Sequence, residues 1–286
     1  AKKIMLDIDE NELNKFSNFD LEFDLLLHMD LKDFFRKIEE KDLENYSINT
    51  EIWTDQIKSW KKTFNEIDSC AEIKTQQVNP YTFAKELSKE LSNNTKLLID
   101  AGCSIAWLMQ SLEVPKSVRV FHDCNNTAMG WSIPAGIGAY FATNARSPIT
   151  VVTGDGSFMM TSYELATIMH HKIPIKIFVI NNQGYSMIQQ TQDQWLDSKY
   201  IASSKDGGIS FPSYNEIAKA YGIDYVEISN TTECSKISKI MDSNRAIICN
   251  VKVDEDFRVV PQVVFGKPNE DMGPLLPRDV FIKNML

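Results

Sequence analysis

The arrangement of apolar runs between residues 80 and 253 is the feature that most constrains the fold of this chain. Predominantly apolar runs at 149–153 and 175–180 are separated by a segment of helical periodicity at 162–170. Strands that are apolar on both sides occur in parallel sheets whose two faces are covered by helices. We therefore predict an α/β fold with a doubly wound, mostly parallel sheet and helices on both faces.

Other segments continue this alternation. Between residues 80 and 253 we predict helices at 80–91, 105–112, 134–142, 214–221 and 232–241, and strands at 96–100, 118–122, 225–228 and 246–253. Upstream we predict strands at 4–8 and 25–27, a helix at 31–40 and a polar segment with one helix at 41–75. The residues from Asp254 onward are rich in proline and charge, so we predict an arm outside the core.

Composition and charge exclude several classes of function. The chain has 286 residues and a formal net charge of −9 without a basic stripe, so we expect no nucleic-acid partner. Its apolar runs are shorter than the roughly 18 residues of a membrane helix, and its first residues do not resemble a signal peptide. The five cysteines are widely spaced without a C-x-x-C pair, which disfavours disulfides and structural zinc. We expect a cytoplasmic protein without membrane contact.

Polar residues follow two of the predicted strands, at the point where each strand ends. Gly-Asp-Gly, centred on Asp155, follows the first strand, and Asn-Asn, which ends at Asn182, follows the second. Since the carboxyl ends of parallel strands share one edge of a sheet, we expect this carboxylate and this amide to lie close together. Neighbouring strands are about 5 Å apart, and oxygen ligands at that spacing suit Mg²⁺. The sequence therefore predicts a divalent cation site at this edge.

The residues beside Asp155 add donors for an anion. Gly154 and Gly156 allow the backbone to approach a ligand closely, and Ser157 leads toward a helix whose free N–H groups favour negative charge. A cation beside N–H donors suits a diphosphate bridged by Mg²⁺. The alternative is a tight Asp-Gly turn and an unrelated Asn-Asn turn. We favour the binding site because the strand, the helix and the second strand occur together in the required order.

The complete pattern resembles the motif of thiamine-diphosphate enzymes: Gly-Asp-Gly, 24 residues and Asn-Asn. The flanking sequence, including IMLDIDENEL at 4–13, is similar to the acetolactate synthases within that family. The resemblance implies the end of a central α/β domain at 1–40, a linker at 41–75, the diphosphate-binding domain at 76–256 and a C-terminal arm at 257–286. We also expect the chain, which starts with Ala1, to be part of a longer protein.

The resemblance implies roles for individual residues around this motif. Asp155 and Asn182 are implied to ligate Mg²⁺ through their side chains, and Gly184 through its backbone carbonyl. The further residues implied to contact the cofactor in these two segments are Gly154, Gly156, Ser157 and Tyr185.

A second segment resembles another loop that contacts the diphosphate in the family. It is AGCSIAW at 101–107, with Gly102, Cys103 and Ser104 as the candidate residues. Acetolactate synthases usually carry Gln-His at the last two of these positions, so this chain departs from the pattern. For Cys103 we favour a small, inert buried side chain over a redox role.

Two methionines match family positions next to the reactive part of the cofactor. Met129, within NNTAMGW, is implied to be the apolar wedge that keeps the cofactor bent; the alternative is core packing. The backbone carbonyl of Thr127 is implied to receive the amino group of the cofactor. Met187 matches a position beside the thiazolium ring.

The segment after Met187 departs from the acetolactate synthases. They typically carry a tryptophan four residues later that selects the second keto acid, whereas this chain has Thr191. The sequences QQTQDQWLDSKY at 189–200 and GKPNEDMGPLLPRDVF at 266–281 instead resemble synthase-like enzymes found with surface-polysaccharide genes. Some of those enzymes transfer an acetyl unit to a keto sugar.

The resemblance implies an enzyme that uses thiamine diphosphate and Mg²⁺ to decarboxylate a 2-keto acid such as pyruvate and to join the product to a second carbonyl compound. The alternatives are acetyl transfer to a keto-sugar nucleotide and simple 2-keto acid decarboxylation. A non-catalytic partner subunit is disfavoured by the intact motif. A plain nucleotide-binding domain is disfavoured because the chain has neither G-x-G-x-x-G nor a P-loop.

The resemblance also implies what the chain needs from elsewhere. The activating glutamate of the family belongs to an N-terminal domain, normally that of a partner subunit, and we predict no catalytic residue within 1–286. We therefore expect a homodimer or homotetramer, and no turnover by residues 1–286 alone. FAD is a further cofactor of true acetolactate synthases, and these residues do not support its presence.

Overall fold

The fold was analysed on a computed structural model, which describes residues 2–19, 21–39, 49–64 and 70–285. The chain divides into two compact units, Ala1–Phe64 and Asn65–Leu286. The boundary between them falls inside the segment that we predict as a linker. Residues 41–48 of that predicted linker lie outside the described residues.

The first unit contains a two-stranded parallel sheet with helices around it. Strand β1 pairs with β2 in register from Ile4 and Leu25 onward. Leu13 is the one buried side chain among the described residues of this unit. Its elements in chain order are β1 Ile4–Asp7, α1 Glu10–Asn14, a 3₁₀ helix Lys15–Phe19, β2 Leu25–His28, α2 Leu31–Glu39 and α3 Glu51–Thr63.

The second unit is built on a parallel sheet, as the apolar runs predict. Within the described residues six strands pair in the order β4-β3-β5-β6-β8-β7, all of them parallel. From β3 the chain moves outward to β4, whereas from β5 it moves to β6 in the opposite direction, so the topology switches between β3 and β5. The strands are β3 Lys96–Ile99, β4 Arg119–Phe121, β5 Ile149–Gly154, β6 Lys176–Asn181, β7 Asp224–Ile228 and β8 Ile247–Lys252.

Helices connect these strands and cover both faces of the sheet. Apolar side chains on β6 alternate between two core clusters: Phe178 and Ile180 pack in one, and Ile177 and Val179 in the other. Successive strand residues point to opposite faces, which is why residues 177–180 of β6 are all apolar. The helices are α4 Pro80–Glu90, α5 Cys103–Ser111, α6 Ser132–Ala142, α7 Asp155–Met160, α8 Leu165–His171, α9 Ser186–Trp195, α10 Tyr214–Tyr221, α11 Lys236–Met241 and α12 Arg278–Asn284.

The segment after β5 differs from its prediction. We predict one helix at 162–170, but α7 begins at Asp155 itself, and a 3₁₀ turn at Ser162–Glu164 separates it from α8. An acidic side chain suits the first turn of a helix, where the free N–H groups carry positive partial charge. The segment predicted as a helix at 232–241 is likewise divided, into a 3₁₀ helix at Thr231–Ser235 and α11.

Helix α9 was not predicted because its buried face is polar. Gln189, Gln190 and Gln192 are buried and hydrogen-bonded, so the sequence lacks the apolar stripe that marks an amphipathic helix.

The predicted arm at 257–286 is also wrong in part. Phe257 and Val259 belong to the core, although proline and charge dominate the sequence around them. Helix α12 was not predicted either.

No helix of the described residues combines the length and apolarity that crossing a lipid bilayer requires.

Candidate cofactor and metal site

One cavity of about 410 Å³ lies at the carboxyl edge of the sheet, beside the ends of β3, β5 and β6. Every residue that we predict to contact the cofactor or the cation lines it. From the β3 side and the turn before α6 these are Gly102, Cys103, Ser104, Thr127 and Met129. From the ends of β5 and β6 they are Gly154, Asp155, Gly156, Ser157, Asn182, Gly184, Tyr185 and Met187. Their individual roles stay predictions.

The register of β5 and β6 brings the two polar motifs together. Gly154 lies opposite Ile180, so Asp155 and the turn at 182–184 leave the sheet side by side. Asp155 Oδ1 accepts a hydrogen bond from the backbone N of Gly156 at 2.7 Å, and Oδ2 accepts one from the backbone N of Gly184 at 3.1 Å. The acid and the Asn-Asn turn are therefore in direct contact.

Asp155 is enclosed within the site. It is only 2% exposed because α7 starts at this residue and the 182–184 turn lies against its carboxylate. Burial raises the pKa of Asp155 to about 7, against the opposing effect of hydrogen bonds from Gly156 and Gly184. A cation beside this carboxylate would favour its charged form and relieve the cost of burying it.

Asn182 is oriented by a residue that sequence reasoning missed. Its amide nitrogen donates a hydrogen bond to Ser186 Oγ at the start of α9. Among the described residues, no hydrogen bond to the Asn182 amide oxygen is found, so that oxygen is left for a ligand. In the sequence, the signal for this contact was a small hydroxyl residue four positions after Asn182.

The chemistry of these donors fits Mg²⁺ and a diphosphate. A carboxylate, an amide oxygen and a backbone carbonyl are hard oxygen ligands of the kind that Mg²⁺ takes. Among the described residues there is no group of three or more His, Cys, Asp or Glu side chains that could hold a metal ion. The donor set therefore matches an oxygen-ligated cation that shares its coordination with phosphate, rather than a cation held by a cluster of such side chains.

Glycines keep the backbones of this site close together. A Cβ on Gly156 would lie 2.2 Å from Tyr185 Cε1 and 2.9 Å from Met129 Cε. A Cβ on Gly184 would lie 2.9 Å from the carbonyl oxygen of Ser203. Any side chain at either position would push apart elements that line the cavity.

The β3 side of the cavity is the start of a helix rather than a loop. Gly102, with a φ of 91°, is the N-cap of α5, and Cys103 and Ser104 lie in its first turn. The N–H groups of a first turn have no partner within the helix and suit an anion. Burial raises the pKa of the Cys103 thiol to about 12, in agreement with an inert side chain.

Asp100 supports the turn that carries Met129 and was not predicted as a site residue. It is fully buried after β3, and its Oδ1 accepts from the backbone N of Gly130 at 3.0 Å. Its Oδ2 accepts from Ser132 through the backbone N at 2.9 Å and through Oγ at 2.6 Å. A charged residue at the end of an apolar strand was a signal that could have identified it.

Both methionines predicted next to the reactive part of the cofactor are open to solvent. Met129 is 38% exposed and Met187 is 36% exposed, so the alternative of core packing for Met129 is wrong. Thr127 has a φ of 49°, in the left-handed region. Thr191 lies one turn after Met187 on α9, and its Oγ1 donates to the Met187 carbonyl at 3.1 Å.

Tyr214 is a further residue that sequence reasoning missed. Its hydroxyl is buried and has no hydrogen-bond partner within the part of the chain that the structure describes. Burial raises the pKa of Tyr214, and the Asp155 carboxylate nearby raises it further. Its sequence position at the start of α10, far along the chain from the motif, gave no signal of this proximity.

Comparison with known proteins identifies a family and several relatives of this chain. The family described as "Thiamine pyrophosphate enzyme, C-terminal TPP binding domain" matches residues 100–251. The acetolactate synthase large subunit of Cyanidium caldarium is 29% identical over 273 residues, covering 95% of this chain and 45% of the relative. That of Lactococcus lactis is 26% identical over 267 residues, covering 93% of this chain and 44% of the relative.

This chain spans a little under half the length of these relatives. The family match covers more than half of the chain and includes the residues that follow β3 and the carboxyl ends of β5 and β6. The chain therefore belongs to the thiamine pyrophosphate enzymes, of which it carries the C-terminal TPP-binding domain.

Proposed function

We propose that the protein containing this chain uses Mg²⁺ and thiamine diphosphate to decarboxylate a 2-keto acid such as pyruvate and to join the remaining unit to a second carbonyl compound. The observation that supports this most is the contact between the Asp155 carboxylate and the 182–184 turn inside the cavity. The relatives named acetolactate synthase support the same reaction class.

In this proposal three oxygen donors of the chain hold the cation. They are the carboxylate of Asp155, the amide oxygen of Asn182 and the backbone carbonyl of Gly184. The first-turn N–H groups of Cys103 and Ser104, together with Gly156 and Ser157, bind the diphosphate. When bound, thiamine diphosphate would supply the carbon nucleophile and the electron-accepting group that decarboxylation of a 2-keto acid requires.

The apolar residues of the cavity orient the cofactor and exclude water. Met129 would contact the bound cofactor and hold its shape, and the buried Asp100 fixes the turn that carries Met129. Met187 lines the same cavity from the start of α9. Exclusion of water from this cavity favours a reaction in which charge is neutralised as CO₂ leaves.

The proposal includes a requirement for a second subunit. By resemblance, the activating glutamate comes from an N-terminal domain outside residues 1–286, normally of a partner subunit. We propose a homodimer or homotetramer in the cytoplasm, and no turnover by residues 1–286 on their own.

A second candidate function is acetyl transfer to a keto-sugar nucleotide. The observation that favours it is Thr191, which stands one helical turn from Met187 where acetolactate synthases carry tryptophan. The shorter side chain leaves more space for a bulky acceptor than the indole would.

The test is to incubate the complete protein with Mg²⁺, thiamine diphosphate and pyruvate, with and without a keto-sugar nucleotide, and to measure CO₂ and the products. Acetolactate formed from pyruvate alone supports the first function, and an acetylated sugar supports the second. Acetaldehyde as the sole product would identify a simple decarboxylase. Absence of CO₂ release from any 2-keto acid tested would contradict the proposed function.

A further inference from the structure

A strip of polar side chains crosses the sheet behind the 182–184 turn. It consists of Asn181 at the end of β6, Asn250 on β8, and Tyr225 and Glu227 on β7, and we call it the cross-strand network. The strand register places all four on the same face of the sheet, with Glu227 directly opposite Asn250 and Asn181 diagonal to it. Asn181 is 7% exposed and Asn250 is 5% exposed.

Hydrogen bonds connect the members of this network in sequence. Asn181 Nδ2 donates to Asn250 Oδ1 at 3.0 Å. Asn250 Nδ2 in turn donates to Tyr225 Oη and to Glu227 Oε2, both at 3.2 Å. Tyr225 Oη donates to Glu227 Oε2 at 3.0 Å. The network therefore runs continuously from the edge strand β7 to the end of β6.

The carboxylate at the edge fixes the direction of every amide in the network. Burial opposes ionisation of Glu227, but hydrogen bonds from Lys252, Ser229 and Tyr225 hold its pKa at about 2. An ionised carboxylate can only accept, so Asn250 must turn its nitrogen toward Glu227 and its oxygen toward Asn181. Asn181 must then give its nitrogen to Asn250, which leaves its own oxygen facing the turn.

That oxygen holds the turn that contains the proposed cation ligands. Asn181 Oδ1 accepts from the backbone N of Gln183 at 3.3 Å and from the Gln183 side-chain amide. Gln183 has a φ of 56°, a left-handed conformation that a residue with a side chain adopts only when its surroundings impose it. Asn182 lies between the two bonded residues, and Gly184 follows with its N–H on Asp155.

We propose that Asn181 is a positioning residue for the cation site, which holds the 182–184 turn through the cross-strand network so that Asn182 and Gly184 face Asp155. This inference rests on the proposed function. Asn181 would thus hold the turn from behind, whereas Asn182 lines the cavity and would ligate the cation. Groups that orient metal ligands from behind typically change metal affinity by about 10- to 100-fold when they are removed.

The experiment measures Mg²⁺ binding to the complete protein in saturating thiamine diphosphate by isothermal titration calorimetry. Asn181→Leu removes both contacts of the amide at nearly constant volume, and we expect the dissociation constant of Mg²⁺ to rise about 10- to 100-fold. Asn250→Leu removes the hydrogen bond between Asn181 and Asn250 from the β8 side, and we expect it also to raise the dissociation constant of Mg²⁺. All titrations are made at a temperature at which circular dichroism shows each variant to be folded.

Asn79→Leu is the matched control. Asn79 is 2% exposed in the same unit, and its amide is also hydrogen-bonded through both nitrogen and oxygen. Its Nδ2 donates to the carbonyls of Cys70 at 3.0 Å and Ile73 at 3.1 Å, and its Oδ1 accepts from the backbone N of Tyr81 at 2.9 Å. It does not line the cavity. Its loss should lower the melting temperature and leave the dissociation constant of Mg²⁺ unchanged.

The outcomes separate this inference from the proposed function. Wild-type affinity in Asn181→Leu would overturn the inference and leave the proposed function standing, and so would an equal loss of affinity in Asn79→Leu. If the wild-type protein itself binds no Mg²⁺ in the presence of thiamine diphosphate, the proposed function fails and the inference fails with it. If Asn181→Leu does not fold, Asn250→Leu decides by the same criteria.

Discussion

Gly156 is the residue of the site with the least room for a side chain. A methyl carbon added at Gly156 would lie only 2.2 Å from Tyr185 Cε1, which is closer than two carbon atoms can approach without a bond. Because Tyr185 opens the segment that leads into α9, the clash would move the start of that helix away from α7. Gly156 therefore matters for the packing of α7 against the segment that leads into α9.

We predict that Gly156→Ala lowers stability by about 1–3 kcal/mol, the usual cost of overpacking, and weakens thiamine diphosphate binding by at least about tenfold. The control is Gly138→Ala in α6, where an added Cβ meets nothing within 4 Å. This control should gain about 0.5–1 kcal/mol from helix propensity. Chemical denaturation and cofactor titration of both variants check the prediction, and equal behaviour of the two would contradict it.

At the scale of an element, β6 carries a polar group at each end. Asn181 and Asn182 mark its carboxyl end, and at its amino end the Lys176 ammonium is buried against backbone oxygens. Lys176 Nζ donates to the carbonyls of Pro174 at 2.8 Å and Arg245 at 2.9 Å. The Lys176 ammonium thereby links β6 to the segment that leads into β8, at the end of the sheet opposite the site.

Lys176 gives a prediction for the pH dependence of stability. Burial lowers its pKa from 10.5 to about 8. The unfolded chain then binds more protons than the folded one between about pH 8 and 10.5, so this residue makes stability rise as pH rises through that window. We expect a rise of about 1–2 kcal/mol, less than the full pKa difference implies, because the two carbonyls stabilise the ammonium.

The measurement is chemical denaturation of the protein and of Lys176→Met at pH 8, 9 and 10.5. The free energy of unfolding of the wild type should increase relative to that of the variant across this range. A difference between the two proteins that stays constant or shrinks with pH would contradict the assignment of the buried charge.

The predicted elements bury apolar side chains, whereas the helix that was missed buries polar ones. Strands such as β5 and β6 were predictable because burial on both faces requires predominantly apolar residues. Helix α9 was missed because its buried face is held by hydrogen bonds of glutamines. The contact between Asp155 and the 182–184 turn was predictable because the motif lies at two strand ends. The nearness of Tyr214 to Asp155 depends on tertiary packing, which leaves no periodic pattern in the sequence.

At the scale of the whole molecule, the cavity has an apolar mouth. Met129, Met187 and Ile188 line it and are 38%, 36% and 48% exposed. An exposed apolar rim around a polar floor is typical of a surface that another protein covers. This matches the proposal that a partner subunit completes the site.

At this scale we predict that binding of the cofactor and association of the subunits strengthen each other. If a second subunit completes the cavity, cofactor binding must strengthen subunit association by the same factor by which association strengthens binding. We expect Mg²⁺ with thiamine diphosphate to lower the dimer dissociation constant of the complete protein about tenfold, measured by sedimentation velocity. Mg²⁺ with thiamine, which lacks the diphosphate, is the control. Association that is independent of the cofactor would contradict a shared site.

The central claim is that the Asp155 carboxylate and the 182–184 turn together hold the cation that anchors the diphosphate. Titration of Mg²⁺ into the complete protein and into Asp155→Asn, both in saturating thiamine diphosphate, tests it most directly. We predict that the variant loses at least about 100-fold in Mg²⁺ affinity. Because the introduced amide nitrogen cannot accept one of the two backbone hydrogen bonds that the carboxylate accepts from Gly156 and Gly184, the melting temperature of the variant should be lower, and both titrations are made at a temperature at which the variant is folded. Unchanged Mg²⁺ affinity in a folded Asp155→Asn would contradict the claim.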